Sequence, residues 1–87
     1  QNFPNPFNPT TSMYVSVDKE SRGSLVIFNL KGQAVRTLHK GRLVTGITNF
    51  IWDGNDNSGR PVSGGTYIYR LMLDGVSSQS QKMILLK

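Results

Sequence analysis

The side chains best suited to bind a ligand or to take part in a reaction lie in one stretch of this 87-residue sequence, residues 52–59. Within it Asp53, Asn55 and Asn57 alternate, as the first three ligands of a calcium-binding loop do. The match then fails, because the sixth position is not glycine and the twelfth is Gly64, where a glutamate is needed. Asp and Asn side chains also bind the backbone of their own turn. We therefore favour a self-supporting turn over a bound cation, and we predict no metal and no other cofactor.

No residue set in the sequence is typical of catalysis. Cysteine is absent, and His39 is the only histidine, with no carboxylate near it in the sequence. Asp53 and Asp56 are a closely spaced pair of carboxylates, but they lie in the predicted turn, and acid–base chemistry needs a cleft. The glycine-rich stretch 63–66 lacks the lysine of a phosphate-binding loop and precedes a predicted strand. We predict that the chain is not an enzyme.

The charge balance is basic. Ten Lys and Arg residues oppose five Asp and Glu residues, and no acidic residue occurs between Glu20 and Asp53. Such asymmetry suits a nucleic-acid or anionic-glycan surface. The basic residues are spread singly, however, and single Lys and Arg residues on strands commonly face solvent or protect sheet edges. We favour that second interpretation and predict no nucleic-acid partner, with an anionic partner as the alternative.

The elements that position these residues have a period of two. Met13, Val15 and Val17 alternate with polar residues, which predicts a half-buried strand. Further strands are predicted at residues 24–29, 34–38, 47–52, 67–73 and 81–86, and Asp74-Gly75 predicts a tight hairpin. No segment carries a helical stripe or a run of apolar residues long enough to span a membrane. The pattern predicts an all-β fold, an antiparallel β-sandwich, with no stable membrane insertion.

Aromatic residues on the strands have two interpretations. Tyr14, Trp52 and Tyr69 are candidates for stacking on sugars, while core packing is the alternative. For Trp52 and Tyr67 we favour the core. Tyr67 follows a glycine pair at the start of a strand, so its hydroxyl is a candidate for a bond back to the preceding loop.

The N-terminal residues form a proline-rich, aromatic segment. Pro4, Pro6 and Pro9 hold the backbone extended, and Phe3 and Phe7 are two aromatic anchors within five residues. A disordered linker seldom carries such anchors. We expect this segment to lie along an edge of the sandwich and to cover apolar surface there.

Several of these segments, taken in order, resemble a known family. The residues that carry the resemblance are Pro4, Asn5, Pro6, Phe7, Asn8 and Pro9; then residues 28–35; then Trp52, Asp53, Gly54, Asp56 and Gly59; then Tyr67 within residues 65–71; and finally residues 82–87. Together they resemble the type A C-terminal sorting domain of type IX secretion cargo. That family is classed with the immunoglobulin-like domain of the flagellar hook-capping protein. Phe3 and Phe28 depart from the family, which usually has tyrosine at both places.

The resemblance implies a single immunoglobulin-like sandwich of six to seven strands over residues 1–87, with residues 1–10 as an extended lead-in. It implies a non-catalytic sorting signal at the C-terminal end of a longer protein, which reaches the cell surface or the medium through the periplasm. The implied partners are the outer-membrane secretion machinery and a covalently joined N-terminal passenger domain. The implied recognition residues are Lys82, Met83, Ile84, Leu85, Leu86 and Lys87. The alternatives are a structural assembly or spacer module of the hook-capping type and, less favoured, a carbohydrate-binding accessory module.

Overall fold

Six β-strands build the protein in a computed structural model that describes residues 10–74 and 76–86. The strands are β1 (Thr11–Val17), β2 (Ser21–Phe28), β3 (Ala34–Leu43), β4 (Gly46–Trp52), β5 (Gly65–Leu73) and β6 (Val76–Leu85). β1 and β4 form one antiparallel sheet, and the other four form a second in the order β3-β2-β5-β6, also antiparallel. The predicted all-β sandwich is confirmed. Within the described residues no helix is long and apolar enough to cross a membrane.

The core lies between the two sheets and follows the alternation of the sequence. Met13, Val15 and Val17 of β1 are buried, and the residues between them are exposed. In the four-stranded sheet, Leu25, Ile27 and Leu71 have no exposed surface. They belong to the same hydrophobic core cluster as the three residues of β1. Each strand therefore buries one face, and this burial is the main favourable term in the stability of a domain without disulfides.

Two strands are longer than the sequence pattern indicates. β3 runs on to Leu43 instead of ending at Leu38, because bulges at Val35 and Leu38 break the period of two in its apolar residues. β6 begins at Val76 instead of Gln81. Its first residues are polar, so no apolar alternation marks them, but they pair with β5 through the backbone.

The β5–β6 hairpin is formed as predicted, with Leu73 paired to Val76. Asp74 adopts a positive φ of 51°, which Asp tolerates better than most residues. Gly75 lies outside the described residues. So do the predicted lead-in, with Pro4, Asn5, Pro6, Phe7, Asn8 and Pro9, and the last predicted recognition residue, Lys87.

Candidate functional site

The turn predicted at residues 52–59 uses its own side chains as backbone partners. The Asp53 carboxylate accepts hydrogen bonds from the Asn55 amide at 3.1 Å and from the Arg36 guanidinium at 3.2 Å. Gly54 and Gly59 both adopt positive φ values, 79° and 87°, which glycine reaches without strain. The self-supporting turn that the sequence predicts is therefore what these residues form.

Asp56 is the second organiser of this turn. Its Oδ1 accepts hydrogen bonds from the Ser58 hydroxyl at 2.7 Å and from the amides of Ser58 and Arg60, each at 3.0 Å. The hydrogen bond from the Ser58 hydroxyl, followed by the bond from the Arg60 amide, lowers the pKa of Asp56 below its ordinary value of 3.8. The charged form of Asp56 is thus the form that fits the folded turn.

Asp56→Asn is expected to flatten the dependence of stability on pH in acid. A carboxylate with a lowered folded-state pKa stabilises the protein above 3.8, and this contribution is lost as the pH falls through the folded-state pKa. Asparagine keeps an acceptor oxygen but does not titrate. Between about pH 6 and pH 2 its melting temperature should therefore fall less than that of the wild type. Asp18→Asn is the control, since no described residue donates to that carboxylate, and equal flattening in both variants would contradict the prediction.

The loop that follows β4 also closes one edge of the four-stranded sheet. The Asn57 amide donates to the Val35 carbonyl at 3.0 Å, and the Asn57 side-chain oxygen accepts from the Thr37 amide at 2.9 Å. These are β3 groups on the side away from β2. Arg36 fastens the same loop by donating to Asp53 and, at 3.2 Å, to the Asn55 carbonyl. Asn57 therefore occupies backbone groups that an added strand would need.

Trp52 and Tyr67 join this loop to the core. Their rings meet edge to face with centroids 5.0 Å apart, Trp52 is fully buried, and Tyr67 is 7% exposed. The Trp52 indole donates to the Asn55 carbonyl at 2.8 Å, and the Tyr67 hydroxyl donates to the Ser63 carbonyl at 2.6 Å. Burial raises the pKa of Tyr67 above its usual 10.0. Both rings are core residues, and the Tyr67 hydroxyl does bond back to the preceding loop.

The other two sugar-stacking candidates differ in their exposure to solvent. Tyr69 is buried, and its hydroxyl donates to the Gln81 side chain at 3.1 Å. Tyr14 remains 66% exposed, on the outer face of β1.

His39 packs its ring against Phe50, with centroids 5.4 Å apart, and donates from Nε2 to the Arg42 carbonyl at 2.9 Å. The described residues include no group of three His, Cys, Asp or Glu side chains that could hold a metal ion.

The predicted recognition segment 82–87 is split by the pleat of β6. Met83 and Leu85 point into the core with 8% and 1% of their surface exposed. A partner cannot reach these two side chains in the folded domain, so their assignment as contact residues is corrected. Ile84 and Leu86 are 61% and 76% exposed, and Lys82 is exposed beside them. The accessible part of the segment is this outward set.

The position of β6 in the sheet adds backbone groups to this surface. β6 is the last strand of the order β3-β2-β5-β6, and β5 is the only described strand paired with it. The Gln79 side chain donates to the Ser16 carbonyl of β1 at 2.8 Å, which ties the first half of β6 to the other sheet. The second half, beyond Gln79, makes no such bond to a described residue. Among the described residues, Asn57 therefore caps β3 at Val35 and Thr37, whereas the second half of β6 is paired on one side only.

Sequence reasoning missed the capping role of Asn57 and Arg36. Each is separated by about twenty positions from the groups it binds, so no local pattern links them. An uncharged, turn-forming residue such as Asn57 reads as part of its own turn, and only the fold brings it to β3.

The model of the FlgD Ig-like domain matches residues 7–76, which is most of the chain. The chain belongs to the FlgD Ig-like domain family. The family match ends at the first residue of β6, so it does not extend over the open part of that strand. An immunoglobulin-like domain of this family is consistent with a protein that is not an enzyme.

A solved structure supports the same assignment to the FlgD Ig-like family. The crystal structure of FlgD from P. aeruginosa superposes with a TM-score of 0.67 and 25% sequence identity, over 87% of this chain and 61% of that one. The immunoglobulin-like sandwich and the relation to the hook-capping protein are thereby confirmed. The present chain thus corresponds to only part of that FlgD molecule. No curated protein matches the sequence.

Proposed function

We propose that this chain is a non-catalytic immunoglobulin-like module that binds another polypeptide along the second half of β6. The observation that carries the proposal is the contrast between the two edges of the four-stranded sheet. Asn57 caps β3 at Val35 and Thr37, whereas no described strand pairs with the outer side of β6, where Ile84 and Leu86 are exposed. An extended segment added there would gain backbone hydrogen bonds and apolar contacts together.

Two finer functions use the same edge. The first is structural assembly of the hook-capping type, in which the module joins protein subunits. The family match and the likeness to FlgD favour this function. In this form, the module binds a neighbouring subunit or a second copy of itself, and it needs no export machinery.

The second is sorting, in which the outer-membrane secretion machinery captures the open part of β6 and carries a joined N-terminal passenger to the surface or medium. The specific observation in its favour is that residues 82–86, which belong to the recognition segment implied by the resemblance, include the exposed side chains at this part of β6. The family match supports sorting less well than assembly, because it describes a hook-capping relative and ends at residue 76.

The test of the shared mechanism replaces only outward side chains. A variant with Ile84→Ser and Leu86→Ser keeps Met83 and Leu85 in the core. It is expected to reduce partner binding by at least about tenfold, since two exposed apolar contacts are each worth about 1 kcal/mol or more. The matched control is Ile47→Ser with Ile51→Ser, two residues of β4 that are 73% and 59% exposed on the other sheet. An equal loss in both variants would remove β6 from the mechanism.

Two readouts separate the finer functions. A passenger fused to residues 1–87 is produced in a host with type IX secretion, and its export is compared for the wild type and both double variants. The oligomeric state of the same chain is measured by light scattering. Export that depends on Ile84 and Leu86 supports sorting. A concentration-dependent oligomer that depends on them, without export, supports assembly. If the protein is folded and shows neither the export nor the oligomer that depends on these residues, the proposal is overturned.

A further inference from the structure

Charge is segregated by position in this fold. All five carboxylates of the sequence lie in connections between strands: Asp18, Glu20, Asp53, Asp56 and Asp74. The two-stranded sheet of β1 and β4 contains no charged residue. The four-stranded sheet contains six cationic residues and no carboxylate: Arg22, Arg36, Lys40, Arg42, Arg70 and Lys82. The basic character of the sequence is therefore concentrated in one layer of the sandwich.

Five of these six cations share the outer face of that sheet, which we call the cationic face. Along each strand they alternate with residues that point into the core, such as Leu25 on β2 and Leu71 on β5. The register places Arg22 opposite Arg42, Ser24 opposite Lys40, and Ser80 opposite Arg70. The members of the cationic face are Arg22, Lys40, Arg42, Arg70 and Lys82. Arg36 is excluded because it turns to the loop after β4.

Most of this charge is not neutralised. Arg42 is bonded to Glu20, but the other four cations form no ion pair with any described carboxylate. Arg22 and Lys40 line a groove of about 310 Å³, together with Asp74 and the glycine pair Gly23 and Gly41. Asp74 is the only carboxylate lining that groove. The groove therefore has a net positive lining, with two cations and one carboxylate.

The arrangement is linear rather than clustered. Lys82 and Arg70 are diagonal neighbours on adjacent strands, because Lys82 pairs with Ile68, two residues before Arg70. Diagonal neighbours of this kind lie about 7–8 Å apart. Arg70, Lys40 and Arg42 continue the diagonal across β5 and β3, with Arg22 beside its end. Spaced cations along a line match a chain with spaced anionic groups better than they match a single compact anion.

We infer that the cationic face binds an anionic polysaccharide, in an orientation that follows this diagonal. A nucleic acid is the less suitable polyanion, because single-stranded bases need exposed aromatic platforms. The aromatic ring of this face, Phe28, is half-buried and already has the Arg70 guanidinium 4.9 Å from its centre. Carboxylate or sulfate groups on sugars need only the cations, and Ser24 and Ser80 add hydroxyls near Lys40 and Arg70. The face reaches β6 only at Lys82, which also lies beside the exposed residues of that strand.

The test measures binding of the full chain to heparin and to polygalacturonate at about 50 mM salt, where surface charge is weakly screened. The wild type is expected to bind both, with an affinity that falls steeply as salt is raised. The variant Arg22→Gln, Lys40→Gln, Arg70→Gln is expected to bind at least about tenfold more weakly. None of these three residues belongs to β6, so the variant tests the cationic face separately from the function proposed for that strand.

The matched control removes the same number of charges elsewhere. Lys19→Gln, Lys31→Gln and Arg60→Gln all lie in turns outside the cationic face. This variant should keep its affinity within about twofold, and circular dichroism and thermal melting establish that both variants are folded. Equal weakening in both would show that net charge alone attracts the polymer. Tighter binding to single-stranded DNA or to anionic lipid vesicles, or no binding to either polysaccharide, would likewise overturn the inference.

Discussion

Replacing Trp52 with alanine is expected to lower the free energy of unfolding by about 3–5 kcal/mol, the usual cost of removing a buried tryptophan ring. Trp52 has no exposed surface, and its ring packs edge to face on Tyr67. Its indole N–H also satisfies the Asn55 carbonyl. Since domains of this size are stable by only about 5–15 kcal/mol, the variant loses a large share of the total.

Chemical denaturation followed by circular dichroism measures this effect. Trp52→Phe serves as a second variant, because it keeps an aromatic ring in the core and should remain folded while losing the bond to Asn55. Ile51→Ala is the control. That side chain is 59% exposed next to Trp52, and its replacement should change stability by no more than about 0.5 kcal/mol. A loss below about 1 kcal/mol for Trp52→Ala would show that the ring does not close the core.

Gly23→Ala is the second substitution with a large expected effect. A Cβ atom at this position would lie 2.3 Å from the Met72 carbonyl oxygen, with the Leu73 and Leu43 side chains at 3.0 and 3.1 Å. The nearest atom belongs to the backbone of the neighbouring strand, so it cannot rotate away. The sheet must shift, which we expect to cost about 1–3 kcal/mol.

The measurement for Gly23→Ala is again equilibrium unfolding, with Ser24→Ala as the control. Ser24 is next on the same strand and points to the other face. Its replacement should leave stability nearly unchanged, because surface substitutions stay within about 0.5 kcal/mol. If Gly23→Ala were neutral or stabilising, the close approach of β2 and β5 at this point would be wrong.

Alternation in the sequence is sufficient to predict the sandwich, because burial of one strand face leaves a period of two. Met13, Val15 and Val17 show this most clearly, and Trp52 and Tyr67 are core residues as expected. The limits of β3 and β6 were less predictable. Bulges in β3 and polar residues in β6 remove the alternation, while pairing to a neighbouring strand depends only on backbone groups.

The candidate binding surfaces can likewise be predicted from the sequence only in part. The sequence indicates segment 82–87 as a whole, but only the pleat decides that Met83 is buried and Ile84 is exposed. The capping of β3 by Asn57 and the gathering of cations on one face both depend on contacts between distant residues. A single sequence contains the residues but not the register that brings them together.

The capped edge at β3 limits the ways in which copies of this domain could associate through its larger sheet. An open-ended fibre forms only if each copy pairs with a neighbour through both edge strands of its sheet. Asn57 occupies backbone groups on one of these edge strands, β3. Pairing through β6 alone ends after one step, either as a two-fold symmetric dimer or as a complex with one foreign strand. Within the described residues, the loop after β4 thus blocks strand addition at Val35 and Thr37 of β3, which disfavours polymerisation through both edges of this sheet.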